Sequence, residues 1–457
     1  MILRDAIQAV RFNKRWFFLL YLLAGLPYLI LTGPFRAADE RNHFLRSYEI
    51  SEGRLFSARV LADITGDDLP ASLSRLSEAL GNHSEQYIEP AQLAAARSLQ
   101  LNSQERGFIE FSTAVYSPLA YLPSAVGIFL GRTCGAGPLA LVYFGRAGNL
   151  LVGSWLMALA LSYAGYARRA MLLVTILPMT VFQVATVTAD AMSYGLGFLW
   201  ISLVINTAVA GPKDRGPGRM FFLVALGLAI SQLRPPYPLL GLLVFLIPIA
   251  RFGKKTILLW FAVVAASLLP AVAWNINATR MFEQARIAPN VQPVEQARWV
   301  LKHGGVFWHR AKQDLWIRGV EYWEQFVGRL GWLNISLPSW IPIGFALALA
   351  IGIFVGPRDP PSPLWWQRIA IGIVAAGGIF AIQLMLYLTF NPVKSPFILG
   401  VQGRYFTPLA VLAAFAFSNS LLARPAFERV YKLGALLFAI SAHCGALIAV
   451  ARASGKI

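Results

Sequence analysis

Apolar runs recur along this chain from residue 16 to residue 451, separated mostly by short basic gaps. A run of about 20 apolar residues crosses a bilayer as a helix, because each backbone polar group then finds its partner inside the segment. Such runs fall at 16–33, 139–164, 170–187, 191–210, 220–233, 236–250, 256–275, 338–355, 368–388, 404–423 and 430–451. Of the 457 residues, 57% are hydrophobic and only 14% charged, with mean hydropathy +0.57. These values lie far from soluble averages, so the expected fold is an all-α polytopic membrane protein, one domain over 1–457 with about 11–12 spans. Arg4, Arg11, Lys14 and Arg15 precede the first run, and no small-x-small cleavage site follows it. It therefore reads as a retained anchor, not a removed signal peptide.

A net charge of +18 in a soluble protein would suggest nucleic acid. Here the Lys and Arg residues sit in gaps between apolar runs, at 168–169, 213–219, 251–255, 358–368 and 424–432. That is the placement expected of cytoplasmic loops, so no nucleic-acid partner is expected. Cys134 and Cys444 provide neither a disulfide framework nor a metal-binding spacing. Residues 113–131 look like a further span, but counting them puts basic gaps on the wrong side. Pro118 and Pro123 instead suggest a re-entrant or steeply tilted segment.

Two polar stretches then share the non-cytoplasmic face, one over about 34–112 and one over about 277–336. Each carries amphipathic helix patterns. Asp68-Leu69-Pro70 opens one helix with Leu73, Leu76 and Leu80 at helical spacing and Gly81 closing it, and Glu89-Pro90 opens another. In the second stretch a helix over 294–303 ends at Gly304-Gly305, and one from Trp308 follows. Its tryptophans (Trp308, Trp316, Trp323, with Trp332 just beyond) suit the lipid headgroup zone.

Just past the first span lies Ala38-Asp39-Glu40-Arg41-Asn42-His43-Phe44-Leu45-Arg46. A helix over 40–52 with Asp39 as N-cap places Asp39, His43 and Arg46 at i, i+4 and i+7, on one stripe. The plain alternative is that Asp39 only caps the helix while His43 and Arg46 are solvated. Other polar residues reach the same face: Asp190 at a span end, Arg234 in Arg-Pro-Pro-Tyr with Tyr237, Arg329, and Gln402-Gly403-Arg404-Tyr405. A lone span-end arginine is usually a snorkelling anchor. Several arginines and carboxylates on one membrane face are functional candidates, since charge at membrane depth is costly.

Asp-Glu-x-x-His-Phe-x-Arg, Thr-Ala-Asp-Ala-Met-Ser-Tyr, Arg-Pro-Pro-Tyr, Val-Gly-Arg-Leu-Gly-Trp-Leu-Asn and Gln-Gly-Arg-Tyr-Phe-Thr-Pro occur in this order. The ordered set resembles a bacterial membrane family catalogued as a domain of unknown function and regarded as related to C-type (GT-C) glycosyltransferases. The resemblance covers about residues 15–450. It implies a GT-C-like bundle in the bacterial cytoplasmic membrane. The implied activity is transfer of a sugar from a polyprenyl-phosphate donor to a glycan or glycolipid acceptor on the non-cytoplasmic face. It matches Asp39, with Glu40 beside it, to the carboxylate of the first external loop, and Asp190 to a later acidic position. Asp39 would be the general base, with Glu40 as the alternative. Arg404, Arg234 or Arg329 would clamp the lipid phosphate, and Asp190 and His43 would orient the acceptor or hold a divalent cation. A transporter or flippase of lipid-linked sugars is the rival from another class. A glycan ligase or polymerase would share the donor chemistry.

Overall fold

The computed structural model describes residues 13–55, 59–61, 64–209, 216–284, 290–356, 361–422 and 424–457. Arg4, Arg11, Lys213, Arg215 and Arg358, which helped set the expected orientation, lie outside them. Helix α1 (Lys14–Leu31) starts at Asn13, whose side chain accepts from the Arg15 amide at 2.9 Å. The first polar stretch then holds α2 (Glu40–Ser51), α3 (Ala71–Leu80) and α4 (Pro90–Ser98). It also holds a sheet the sequence reading did not foresee: β1 (Arg59–Leu61), β2 (Ile64–Pro70) and β3 (Arg106–Glu110), antiparallel in that order, with Asp67 opposite Ile109. The strand β2 runs straight into α3, whose Leu73, Leu76 and Leu80 are buried as their spacing requires.

Residues 112–133 form two 3₁₀ turns, Ser112–Val115 and Pro118–Tyr121, and a short helix α5 (Leu122–Thr133). Proline at the start of each later piece breaks the run, and about 18 Å of α-helix cannot cross a bilayer alone. The bundle continues through α6 (Pro138–Tyr163), α7 (Arg168–Thr175), α8 (Pro178–Val184), α9 (Asp190–Val209), α10 (Pro217–Ser231) and, after a 3₁₀ stretch Tyr237–Leu246, α11 (Lys255–Gln284). The second polar stretch carries α12 (Pro293–Lys302) and α13 (Gly304–Val327), and α14 (Trp340–Gly352), α15 (Trp365–Thr389), α16 (Thr407–Phe417) and α17 (Pro425–Ala453) complete the chain.

Among the described residues six helices are long and apolar enough to cross a membrane, or seven if α7 and α8, bent by 77°, count as one broken span. The mostly helical polytopic fold is as expected, with fewer full-length apolar helices than the 11–12 expected spans. The remaining apolar runs become helices of 10–17 residues or 3₁₀ turns, such as Tyr237–Leu246. A 3₁₀ stretch rises about 2.0 Å per residue, so ten residues cover only about 20 Å. The centre of the bundle is α9, with 89% of its apolar window buried, against 22% for α1, α15 and α17. Those outer helices expose Leu20, Leu23, Ile30, Ile369, Ile373 and Leu433, which is the surface a lipid-bathed bundle needs.

Three contacts show which helix ends lie together. Lys456, after α17, donates to Leu31 O at 2.9 Å at the end of α1. Arg368, at the start of α15, donates to Ser418 O at 2.6 Å beyond α16. Arg169 at the start of α7 pairs with Glu428 at the start of α17. Arg169 and Arg368 thus lie at one end of the bundle, and Lys456 lies at the other with both polar stretches.

A candidate anion site at the loop-bearing end

At the loop-bearing end, α2 is locked to the bundle by a buried ion pair. Arg146, on α6, donates to Glu40 through Nε at 2.7 Å and Nη2 at 2.6 Å. Its remaining N–H groups go to the Leu29, Thr32 and Gly33 carbonyls at the end of α1. Glu40 also accepts from the amides of Phe35 and Val187, each at 3.0 Å. Both side chains are fully buried and every donor and acceptor is used. One turn along α6, Asn149 donates to the carbonyls of Thr186 and Thr188. The same helix face therefore fixes the residue after Asp39 and the segment that leads into Asp190.

Asp39 itself has φ 60°, a left-handed conformation, and its side chain makes no capping bond. This corrects the expected N-cap. The carboxylate is left free of the helix and 43% exposed, 3.7 Å from Nη2 of Arg404. Left-handed non-glycine residues are sparse in general and concentrate at functional sites. Asp190 begins α9, where the helix dipole favours its negative charge, and is buried. It lies 3.8 Å from Arg404 Nη1 and 3.4 Å from Arg234 Nη1.

Arg404 is delivered by the 3₁₀ turn Gly403–Phe406, which is backed by α13. The Gly403 amide donates to Gln325 Oε1 at 2.8 Å, and a Cβ on Gly403 would overlap the Tyr322 carbonyl. The guanidinium is wholly buried, yet none of its three nitrogens has a hydrogen-bond partner among the described residues. Such a group costs free energy unless something fills its fork. Arg234 stands alongside, with the Tyr405 ring 5.8 Å from it and 5.5 Å from Arg404. Tyr237 anchors the turn through a 2.8 Å bond to Tyr405 O, and Gln402 Oε1, just before the turn, is buried without a partner among the described residues.

His43 faces Arg234 Nη2 at 3.1 Å and Tyr121 Oη at 2.9 Å. A guanidinium can only donate, so His43 Nε2 accepts and the ring proton sits on Nδ1, directed at Tyr121. Burial, and then the charges of Arg234 and Arg404, hold the imidazole well below its usual range, which keeps it neutral. With His43 neutral, the two arginines and two aspartates balance, so what the site offers an anion is the unpartnered N–H groups of Arg404 and not surplus positive charge.

Asp39, His43, Asp190, Arg234, Tyr237, Gln402, Arg404 and Tyr405 gather at this end of the bundle; three other sequence candidates do different work. Glu40, the alternative base, is consumed by the Arg146 pair and has no exposed atom. Arg46 turns away from Asp39 to Glu49 at 2.5 Å and to the Tyr116 and Leu55 carbonyls. Arg329 pairs with Glu321 and Glu324 and is not at the site. Tyr116 and Tyr121 complete the site and were missed, because 113–131 reads as a membrane passage. Arg146 carried a visible signal, a lone charge inside an apolar 26-residue helix. Among the described residues no three His, Cys, Asp or Glu side chains form a metal-holding group. Asp39 and Asp190 are each already faced by a guanidinium, so the donor set does not fit a divalent cation.

A family model described as a predicted membrane protein (DUF2142) matches residues 22–413, most of the chain and every residue of the site. The chain belongs to the DUF2142 family. The DUF2142 description names membrane character and assigns no activity. No curated protein and no solved structure matches the chain.

Proposed function

We propose that this DUF2142 protein is a membrane glycosyltransferase that moves a sugar from a polyprenyl-phosphate donor to a cell-envelope glycan or lipid-linked acceptor. The transfer takes place at the non-cytoplasmic face of the bacterial cytoplasmic membrane. The observation that carries this reading is the buried Arg404 guanidinium, whose three nitrogens have no hydrogen-bond partner among the described residues, beside the half-exposed carboxylate of Asp39. An arginine fork fits a phosphate oxygen pair, and a lipid phosphate arrives at this depth with its chain in the bilayer. Asp39 takes the proton of the acceptor hydroxyl as that oxygen attacks the anomeric carbon. The bond to the donor phosphate breaks with its electron pair on the phosphate oxygen, whose charge Arg404 neutralises while Arg234 supports it. Inversion at the anomeric carbon follows from a single displacement. One carboxylate suffices because phosphate is a good leaving group, unlike the alkoxide of glycoside hydrolysis.

The test is sugar transfer by purified protein in lipid, with a panel of polyprenyl-phosphate sugars, comparing wild type with Asp39→Asn and Arg404→Lys. Asparagine tolerates the left-handed backbone, and no capping bond is lost, so the fold is retained. Transfer is expected to fall by about 10²–10⁴ in Asp39→Asn. Arg404→Lys keeps the charge but loses the fork, and should raise the donor concentration needed. Near-normal turnover in Asp39→Asn removes Asp39 from the base role. Labelled lipid-linked sugar crossing the bilayer without transfer would replace the enzyme by a flippase.

A further inference from the structure

Helix α13 is not apolar enough to cross a membrane, yet it carries Trp316, the most exposed large hydrophobic side chain among the described residues, at 89%. Ile317 and Val320 are exposed beside it on the same face. The opposite face packs on the bundle through the buried Phe307, Ala311, Asp314, Tyr322 and Gln325. Half-exposed Trp308 meets the Phe380 ring of α15 at a tilt with centroids 4.1 Å apart, and Arg310 donates to Tyr387 Oη at 2.6 Å. Asp314 accepts from Tyr322 Oη at 2.8 Å and from Gln383 at 3.0 Å. The helix therefore lies across the loop-bearing end of span α15, held by a polar network, with an apolar aromatic patch facing outward.

Charge says what covers that patch. Residues 298–312 contain no Asp or Glu, and Arg298, Lys302 and Lys312 are exposed there, while Arg310 is taken up by Tyr387 and Ser395. Basic residues flanking exposed Trp, Ile and Val are the composition of a helix lying at an anionic lipid surface, where the cations meet headgroup phosphates and the apolar side chains enter the acyl region. We propose that α13 is a membrane-surface helix, with Trp316, Ile317 and Val320 among the acyl chains and the basic 298–312 segment against anionic phospholipid headgroups. This does not depend on the sugar-transfer reading. It has a consequence for the site, because Tyr322, Gln325 and Phe326 of the same helix back the turn that carries Arg404. Seating α13 in lipid would hold that turn in place.

The full chain, with the exposed Cys134 and Cys444 replaced by serine, takes a fluorophore at Trp316→Cys, Ile317→Cys or Val320→Cys. The aqueous control is Gln104→Cys in the exposed first polar stretch. The latter two helix positions keep Trp316 in place. In nanodiscs of phosphatidylcholine and phosphatidylglycerol, acyl-brominated lipid should quench the helix probes at least about threefold more than the control. Combining Lys302→Glu with Lys312→Glu should remove about half of that excess in anionic discs and none in purely zwitterionic ones. Quenching no greater than at residue 104 overturns the proposal. So do probes shielded from both brominated lipid and aqueous iodide, which would mean that protein covers the patch. An equal effect of charge reversal in the two lipids overturns the headgroup assignment.

Discussion

Replacing Glu40 by Gln tests the lock beneath the site. The substitution keeps size and shape but turns one carboxylate oxygen into an amide NH₂. Whichever oxygen is lost, two donors then face that NH₂: Arg146 Nε with the Val187 amide, or Arg146 Nη2 with the Phe35 amide. Arg146 keeps its carbonyl partners but loses its counter-charge in a dry environment. Breaking a buried pair from one side costs about 3–5 kcal/mol, and a hydrogen bond to a charged group about 1.5–3 kcal/mol, so a loss of about 3–5 kcal/mol is expected. Removing both charges, as in Glu40→Leu with Arg146→Met, should cost less than the sum of the two single changes because no uncompensated charge remains, although the Leu29, Thr32 and Gly33 carbonyls and the Phe35 and Val187 amides then lose their partners. The assay is reversible unfolding in mixed micelles, arranged as a double-mutant cycle with each single variant. A coupling energy of at least about 2 kcal/mol, insensitive to salt because the pair is buried, is the expected result. A Glu40→Gln variant within about 0.5 kcal/mol of wild type, or a strictly additive cycle, would refute the reasoning.

Stability should also depend on pH through His43. Its folded-state affinity for protons is depressed below the ordinary value of 6.5, so the unfolded chain binds a proton that the folded one refuses. The contribution is complete above about pH 6.5 and is lost as pH falls below it, at up to about 1.4 kcal/mol per pH unit. Unfolding midpoints between pH 5 and 7.5 should show this slope in wild type and a smaller one in His43→Gln; equal slopes would remove His43 as its source. Arg329→Ala should change stability by no more than about 1 kcal/mol and leave transfer intact, because its partners Glu321 and Glu324 are half-exposed. A transfer defect in the purified variant would return Arg329 to the site.

Membrane class, the positions of the apolar runs and the identity of most site residues were legible in the amino-acid order alone. Hydrophobic length and the placement of Arg and Lys are local quantities, and a bilayer reads them locally. The same is true of α3 and α4, whose prolines, leucine spacing and Gly81 stop signal act within a few residues. Which charges meet is not local. Asp39, Glu40 and Arg46 are neighbours in sequence, yet one is a half-exposed carboxylate, one is locked to Arg146, and one is tied to Glu49. A left-handed backbone at Asp39 and the arrival of Arg146 from 106 residues away make that division. The number of full-length spans was likewise decided by packing, because neighbouring helices can supply partners to short and 3₁₀ segments that composition alone cannot tell from α-helix. The amino-acid order thus determined that the chain lives in a membrane and carries charge at one face. Only the tertiary structure buried the Arg404 guanidinium without a hydrogen-bond partner among the described residues, since its surroundings are contributed by residues 39, 190, 234 and 405, and no short-range rule brings those together.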